Sequence, residues 1–285
     1  IHGCSPQEAL RLAGEVEEDA LFRSASEIRE RFFGNSVQLC MIINAKSGKC
    51  TMDCSFCSQS MHYGPNSEIH TLYPSSQLAE LIKNLSKNGI RHCGIVTSGG
   101  RLNGCEVDSI CEAISSIKED APFHICASLG RLEEKDLKKL KEAGLKRYHH
   151  NLETSEKYYP IICSTQAWQE RYSTIQKAVE SGLEVCAGGL FGLGETWEDR
   201  IDLALALQKL GVSSVPINFL NPRPGTPLKR RPLLPASEAL RIIAVYRHLL
   251  PEATLRICGG RPAVLKDRQS DMFKAGANAV MTGDY

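Results

Sequence analysis

After two helical stretches near residues 6–13 and 24–33, short apolar runs alternate with amphipathic segments down the rest of the chain. The runs fall near 37–44, 91–97, 123–128, 147–152, 184–189, 214–218, 254–258 and 279–281. Each has the length and continuous apolar character of a strand covered on both faces. Between the first two runs, Leu78, Leu81, Ile82 and Leu85 recur at spacings of three and four, which gives a helix one apolar stripe to lay on a sheet. Gly89, Gly144, Gly182 and Gly211 each stand two or three residues before a run, where a left-handed residue ends a helix. The alternation predicts an α/β chain of parallel strands, a (β/α)8 TIM-type barrel over residues 1–285 as a single domain, with 1–36 as an N-terminal helical extension packed on it.

With 285 residues and 42% hydrophobic content the chain can bury one large core. A formal net charge of +1 provides no basic field for nucleic acid or an anionic membrane, so small-molecule chemistry is expected. No apolar run approaches the roughly 20 residues needed to cross a bilayer, and the first thirty residues read as polar amphipathic helix, not as a signal sequence. The expectation is a cytoplasmic protein. The sequence opens at Ile1 and stops at Tyr285, so a short targeting or functional segment can lie beyond either end.

Twelve cysteines in a chain this long suit metal better than a disulfide scaffold. Cys50, Cys54 and Cys57 fall within eight residues directly after the first strand, on the catalytic face of such a barrel. Three thiolates on one loop leave one iron of a four-iron cluster open to substrate. Structural zinc is the competing reading, with His62 or His70 as a fourth ligand. Cys93, Cys126, Cys186 and Cys258 sit inside strands two, three, five and seven, where alternation can turn them toward one lumen and a second metal centre. Each alone reads as a small packed residue. Cys4, Cys40, Cys105, Cys111 and Cys163 are assigned no role.

The spacing of three residues and then two, with Phe56 before the last cysteine, resembles the signature of the radical S-adenosylmethionine superfamily. That resemblance implies a [4Fe-4S] cluster on Cys50, Cys54 and Cys57, S-adenosylmethionine on its fourth iron, and reductive cleavage to a 5′-deoxyadenosyl radical. Further along, segments 148–155, 185–196 and 216–220 are similar to the biotin synthase family. This likeness spans most of the chain and implies sulfur insertion into dethiobiotin, with an auxiliary iron–sulfur cluster as sulfur donor. It places that cluster on Cys93, Cys126, Cys186 and Arg256, and implies a homodimer and an electron donor such as flavodoxin or ferredoxin.

The chain departs from the family pattern at Cys258, two residues from Arg256 and so on the same face of its strand. A thiolate there can replace arginine as fourth ligand, and the auxiliary centre is then [2Fe-2S] or a larger variant. The resemblance also implies cofactor contacts at Gly99, Gly100, Asn151, Glu153, Arg171, Gly192, Gly194 and Glu195, with Glu153 standing where aspartate is usual. Asn151 and Asn218 are candidates for the cyclic urea of dethiobiotin, because a side-chain amide donates and accepts at once. The family's tail-binding residues lie beyond the position of Tyr285, so none is assigned. Two alternatives stay open: another radical enzyme on the same barrel, of the methylornithine synthase or hydrogenase maturase kind, and a non-catalytic iron–sulfur electron carrier.

Overall fold

The computed structural model describes residues 3–63, 68–87, 90–117 and 124–283. Gly89, the start of the third run at Phe123, and Tyr285 lie outside them. Among the described residues nine parallel strands make one sheet: β1 (Gln38–Lys46), β2 (His92–Thr97), β3 (His124–Ser128), β4 (Arg147–His149), β5 (Glu184–Cys186), β6 (Gly189–Phe191), β7 (Ser214–Phe219), β8 (Thr254–Ile257) and β9 (Ala279–Met281). Their order is β5-β4-β3-β2-β1-β9-β8-β7-β6, and a pairing of Cys186 with Ser214 joins β5 to β7 and closes the ring. β5 and β6 share one place in that ring, so the architecture is the (β/α)8 TIM-type barrel that the alternation predicts.

The interruption between β5 and β6 has a local cause. A Cβ on Gly188 would stand 2.0 Å from the carbonyl oxygen of Pro216, so only glycine lets the chain pass β7 this closely. The Gly188 carbonyl accepts from the N–H groups of both Leu152 and Glu153, at 3.0 and 3.2 Å. Those bonds replace strand pairing after β4, which ends at His149 although the apolar run continues to residue 152.

The outer helices close as their sequences require. Gly144, at φ 116°, caps the helix Glu134–Ala143, its N–H bonding back to the carbonyls of Leu140 and Lys141. The N-terminal helices Pro6–Gly14 and Glu18–Phe33 pack on the helix Ala236–Leu249. Arg241 donates to the carbonyls of Leu12 and Val16 at 3.0 and 2.7 Å, and Ser24 meets His248 at 3.0 Å. Covered from both sides, that helix buries Leu240, Ile243, Tyr246 and even Arg247. The Arg247 guanidinium is tolerated there because Gly276, Leu250, Pro251, Ala253 and Asn278 all accept from it. Among the described residues no helix is long and apolar enough to cross a membrane.

Candidate active site

At the end of β1 the chain turns through Gly48 and Lys49, both at positive φ, and enters the cysteine loop. The loop is closed by its own backbone: Cys50 N–H donates to Gln59 O at 3.0 Å, Met61 N–H to Cys50 O at 2.8 Å, and Cys57 N–H to Cys54 O at 3.0 Å. Asp53 fastens it to a distant segment. Its carboxylate accepts from the N–H groups of Ser164 and Thr165, at 2.9 and 3.1 Å, and from both hydroxyls. Those donors outweigh the desolvation that opposes them and hold the carboxyl well below the usual carboxylate range. Cys163, given no role from sequence, lies 3.8 Å from Cys54 sulfur to sulfur. No sequence signal could have paired residues so far apart in the chain.

Cys50, Cys54 and Cys57 open on one pocket of about 290 Å³, together with Gly99, Gly100, Asn151, Glu153 and Arg171. The zinc alternative loses its fourth ligand here, because His62 turns to the carbonyl of Thr51 and His70 stacks on Tyr73. Neither histidine lines the pocket. Among the described residues no three His, Cys, Asp or Glu side chains converge closely enough for a single ion. One tetrahedral zinc, at about 2.3 Å per thiolate, would need them within about 4 Å of one another, whereas a cluster spreads its ligands over several irons.

Across the pocket, Arg171 donates to Tyr159 Oη at 2.7 Å and to the carbonyl of Asn151 at 2.9 Å. Its Nη1 stands 3.6 Å from Glu153 Oε1. Burial pushes the Glu153 carboxyl up, and Arg171 opposes that push. Glu153 occupies the left-handed region at φ 71°, a conformation that costs a non-glycine residue free energy and aims its side chain back into the pocket. Gly99, at φ 104°, and Gly100 leave their backbone open, and a Cβ on Gly100 would press on Met52 at 3.1 Å.

Beneath lies a second cavity of about 240 Å³ in the lumen, sharing Val96, Ser128, His149 and Asn151 as a common wall with the first. Cys126, Cys186 and Cys258 line it, as their alternation predicts, together with Arg256 and Asn218. Asn218 is held at both ends, donating to Gly189 O at 3.2 Å and accepting from Gly259 N–H at 3.0 Å. Burial disfavours the Cys186 thiolate, but His149, Arg256 and Ser214 overcome it and hold the thiol at about 6. Arg256 is 3% exposed and Nη1 of its guanidinium has no hydrogen-bond partner. Nδ1 of His92 is likewise buried without one, whereas Nε2 of His124 stands 3.1 Å from Glu184 Oε2. Such orphaned donors around sulfur ligands fit a bound electron-rich group.

Three expectations need correction. Cys93 does not reach the lumen: on β2 the lumen positions are His92, Gly94 and Val96, and alternation turns Cys93 outward into the core under the helices. Burial there pushes its thiol up to about 12. Cys40 on β1, passed over in the sequence, faces the lumen instead. Gly192 and Gly194 line neither cavity; they are packed against Leu234 and Arg231. The Glu195 carboxylate is consumed locally, accepting from the N–H groups of Gly192 and Gly194 at 3.0 Å each and from Arg200 at 2.9 Å.

A closed barrel, a three-cysteine loop at the C-terminal end of its first strand and a polar pocket beside it define a radical S-adenosylmethionine enzyme. The model of that superfamily matches residues 45–207, and the model of the biotin and thiamin synthesis associated domain matches residues 216–285. Among solved structures, methylornithine synthase shares the fold with a TM-score of 0.83 at 22% identity, covering 98% of this chain and 82% of that one. The [FeFe]-hydrogenase maturase HydG does so with a TM-score of 0.84 at 17% identity, over 99% and 65%. Biotin synthase from Desulfovibrio desulfuricans is 53% identical over 281 residues, 99% of this chain and 89% of the relative. Biotin synthase from Pelotomaculum thermopropionicum is 44% identical, over 98% and 88%. The chain belongs to the biotin synthase family.

Proposed function

We infer that this chain carries out the reaction of its family, the insertion of sulfur into dethiobiotin to give biotin, and that its two joined cavities divide the work. The observation that supports this reading is their common wall of Val96, Ser128, His149 and Asn151, which joins the pocket at the three-cysteine loop to a cysteine-lined lumen. Cys50, Cys54 and Cys57 would hold a four-iron cluster with one iron left for the amino and carboxylate groups of S-adenosylmethionine. When bound and reduced by one electron, that pair supplies a hydrogen-abstracting radical.

The residues of the chain position and shield. Arg171 presents a guanidinium to the cofactor carboxylate, and Glu153 presents acceptors to the ribose hydroxyls. Gly99 and Gly100 let the cofactor lie against backbone. Met52, Phe56 and Val96 exclude water from the pocket. Asn151 and Asn218 face the urea ring of dethiobiotin, and the two bonds that already fix the Asn218 amide leave it one N–H and one lone pair for substrate. Cys126 and Cys186, with Arg256 of β8 or Cys258 directly after it, would hold the auxiliary iron–sulfur cluster that gives up its sulfur. A flavodoxin or ferredoxin as electron donor, a homodimer and a cytoplasmic setting belong to the same proposal.

The test is anaerobic reconstitution with iron and sulfide, followed by reductant, S-adenosylmethionine and dethiobiotin, with products read by mass spectrometry. 5′-Deoxyadenosine and biotin together are the expected result. A fully loaded protein that makes neither overturns the proposal, and 5′-deoxyadenosine without biotin overturns the substrate.

A further inference from the structure

Which side chains can reach an auxiliary centre is fixed by strand alternation and register. On β2 the register sets Gly94 opposite Cys126 of β3 and Ile42 of β1, so the lumen position next to Cys126 has no side chain. A Cβ there would already be 3.3 Å from Ile42 Cγ2, and a longer side chain would have to displace its neighbour. Cys93, one residue earlier, has its partner in Met41, which shares its outward face, and is fully buried in the core outside the barrel wall. One strand over, Cys40 pairs in register with His92, a lumen residue, and projects into the same cavity as Cys126, Cys186 and Cys258.

These four cysteines come from β1, β3, β5 and the end of β8, and so stand around the ring instead of on one wall. Deepening the reading above, on which it rests, we propose that the auxiliary centre of this chain is held by four thiolates, Cys40, Cys126, Cys186 and Cys258, with Cys40 in the place given from sequence to Cys93. Arg256 then need not ligate a metal. Its unpartnered Nη1 is aimed into a lumen surrounded by sulfur and can donate a hydrogen bond to the centre, while its other arm stays on Gln38 at 3.3 Å. A guanidinium keeps its proton in proteins and is a poor ligand but a strong donor, so a chain that supplies a fourth thiolate uses both residues for what they do best.

The test needs no turnover. In protein carrying Cys50→Ala, Cys54→Ala and Cys57→Ala, only the auxiliary centre remains, and its iron and sulfide per chain are counted after anaerobic reconstitution, alongside visible absorption and Mössbauer spectra. Adding Cys40→Ala or Cys258→Ala is expected to remove more than half of the iron, and adding Cys93→Ala to leave count and spectra unchanged. Should Cys40→Ala fail to fold by circular dichroism, Cys40→Ser serves, with a blue-shifted absorption expected from an oxygen ligand. Iron loss on Cys93→Ala, or an iron count untouched by Cys40 or Cys258 substitution, overturns the four-thiolate set. A parent triple variant that binds no iron overturns the auxiliary centre itself, and the ligand set with it.

Discussion

Arg171 and Glu153 face each other inside the pocket beside the cysteine loop, 3.6 Å from Nη1 to Oε1. The pair comes from different elements, an outer helix and the turn after β4, and Glu153 is held there at φ 71°. Removing one side of a buried pair leaves the other charge uncompensated at about 3–5 kcal/mol. Arg171→Met is therefore expected to weaken S-adenosylmethionine binding by more than tenfold, measured by anaerobic equilibrium dialysis on reconstituted protein. Glu153→Asp, which keeps the charge and shortens the reach, should lose less than Glu153→Gln. Equal affinity for Arg171→Met and the parent would remove Arg171 from the cofactor site.

Asp53 ties the cysteine loop to Ser164 and Thr165 through four acceptor contacts. Its carboxylate is charged at any working pH, so replacing it by alanine forfeits several charge-assisted bonds while leaving the three thiols in place. Asp53→Ala should still take up iron on reconstitution but release it faster to a chelator, by about tenfold. The comparison is the rate of absorbance loss under anaerobic chelation, and equal rates would make the tether irrelevant to the cluster.

What the sequence made legible and what it hid divide along physical lines. Apolar runs and left-handed glycines such as Gly144 reported the barrel, because strand and helix periods are local properties. The loop of Cys50, Cys54 and Cys57 was equally local. Facing was harder: Cys93 and Cys40 differ only in which side of a strand they occupy, and an off-by-one in register reverses that side. Glu195 failed for a different reason. A carboxylate after Gly-Leu-Gly reads as open to a ligand, whereas its oxygens are used up by the turn it follows and by Arg200.

That internal use of Glu195 makes a clear contrast with Glu153. Arg200 and Glu195 are both almost wholly buried, and the carboxylate also fixes the Gly192 and Gly194 amides. Glu195→Ala should cost about 3–5 kcal/mol of stability by stranding Arg200, softened by its second partner Glu238 at 2.7 Å. Denaturant midpoints would register the loss. S-Adenosylmethionine affinity of the folded fraction should be unchanged, and a tenfold weaker affinity would return Glu195 to the cofactor site.

Asn218 reaches across from β7, tying Gly189 on one side and Gly259 on the other. Asn218→Leu leaves both backbone groups without that partner in a buried lumen, at about 1–3 kcal/mol each. Asn218→Asp keeps the acceptor for Gly259 and loses the donor. Both variants should bind dethiobiotin more weakly, with Asn218→Leu the less stable by thermal denaturation. Unaltered dethiobiotin affinity in Asn218→Asp would place the urea elsewhere.

His92 offers a pH test of the lumen. Burial, reinforced by Arg256 of β8, His124 of β3 and Arg147 of β4, holds its imidazole down at about 4, with Glu184 pulling weakly the other way. An unfolded chain protonates this group near pH 6.5, so between about 6.5 and 4 the unfolded state binds the extra proton. The stability that His92 contributes as a neutral ring is thus complete above pH 6.5 and is lost as pH falls toward 4. Carboxylates titrate across part of the same range, so the informative quantity is a difference between proteins. Melting temperatures of the cluster-free parent should fall more steeply over this window than those of His92→Asn, which has nothing to protonate. Parallel slopes would mean that the His92 ring takes up its proton as easily in the folded barrel as in water, and that the cationic lumen exerts no field on it.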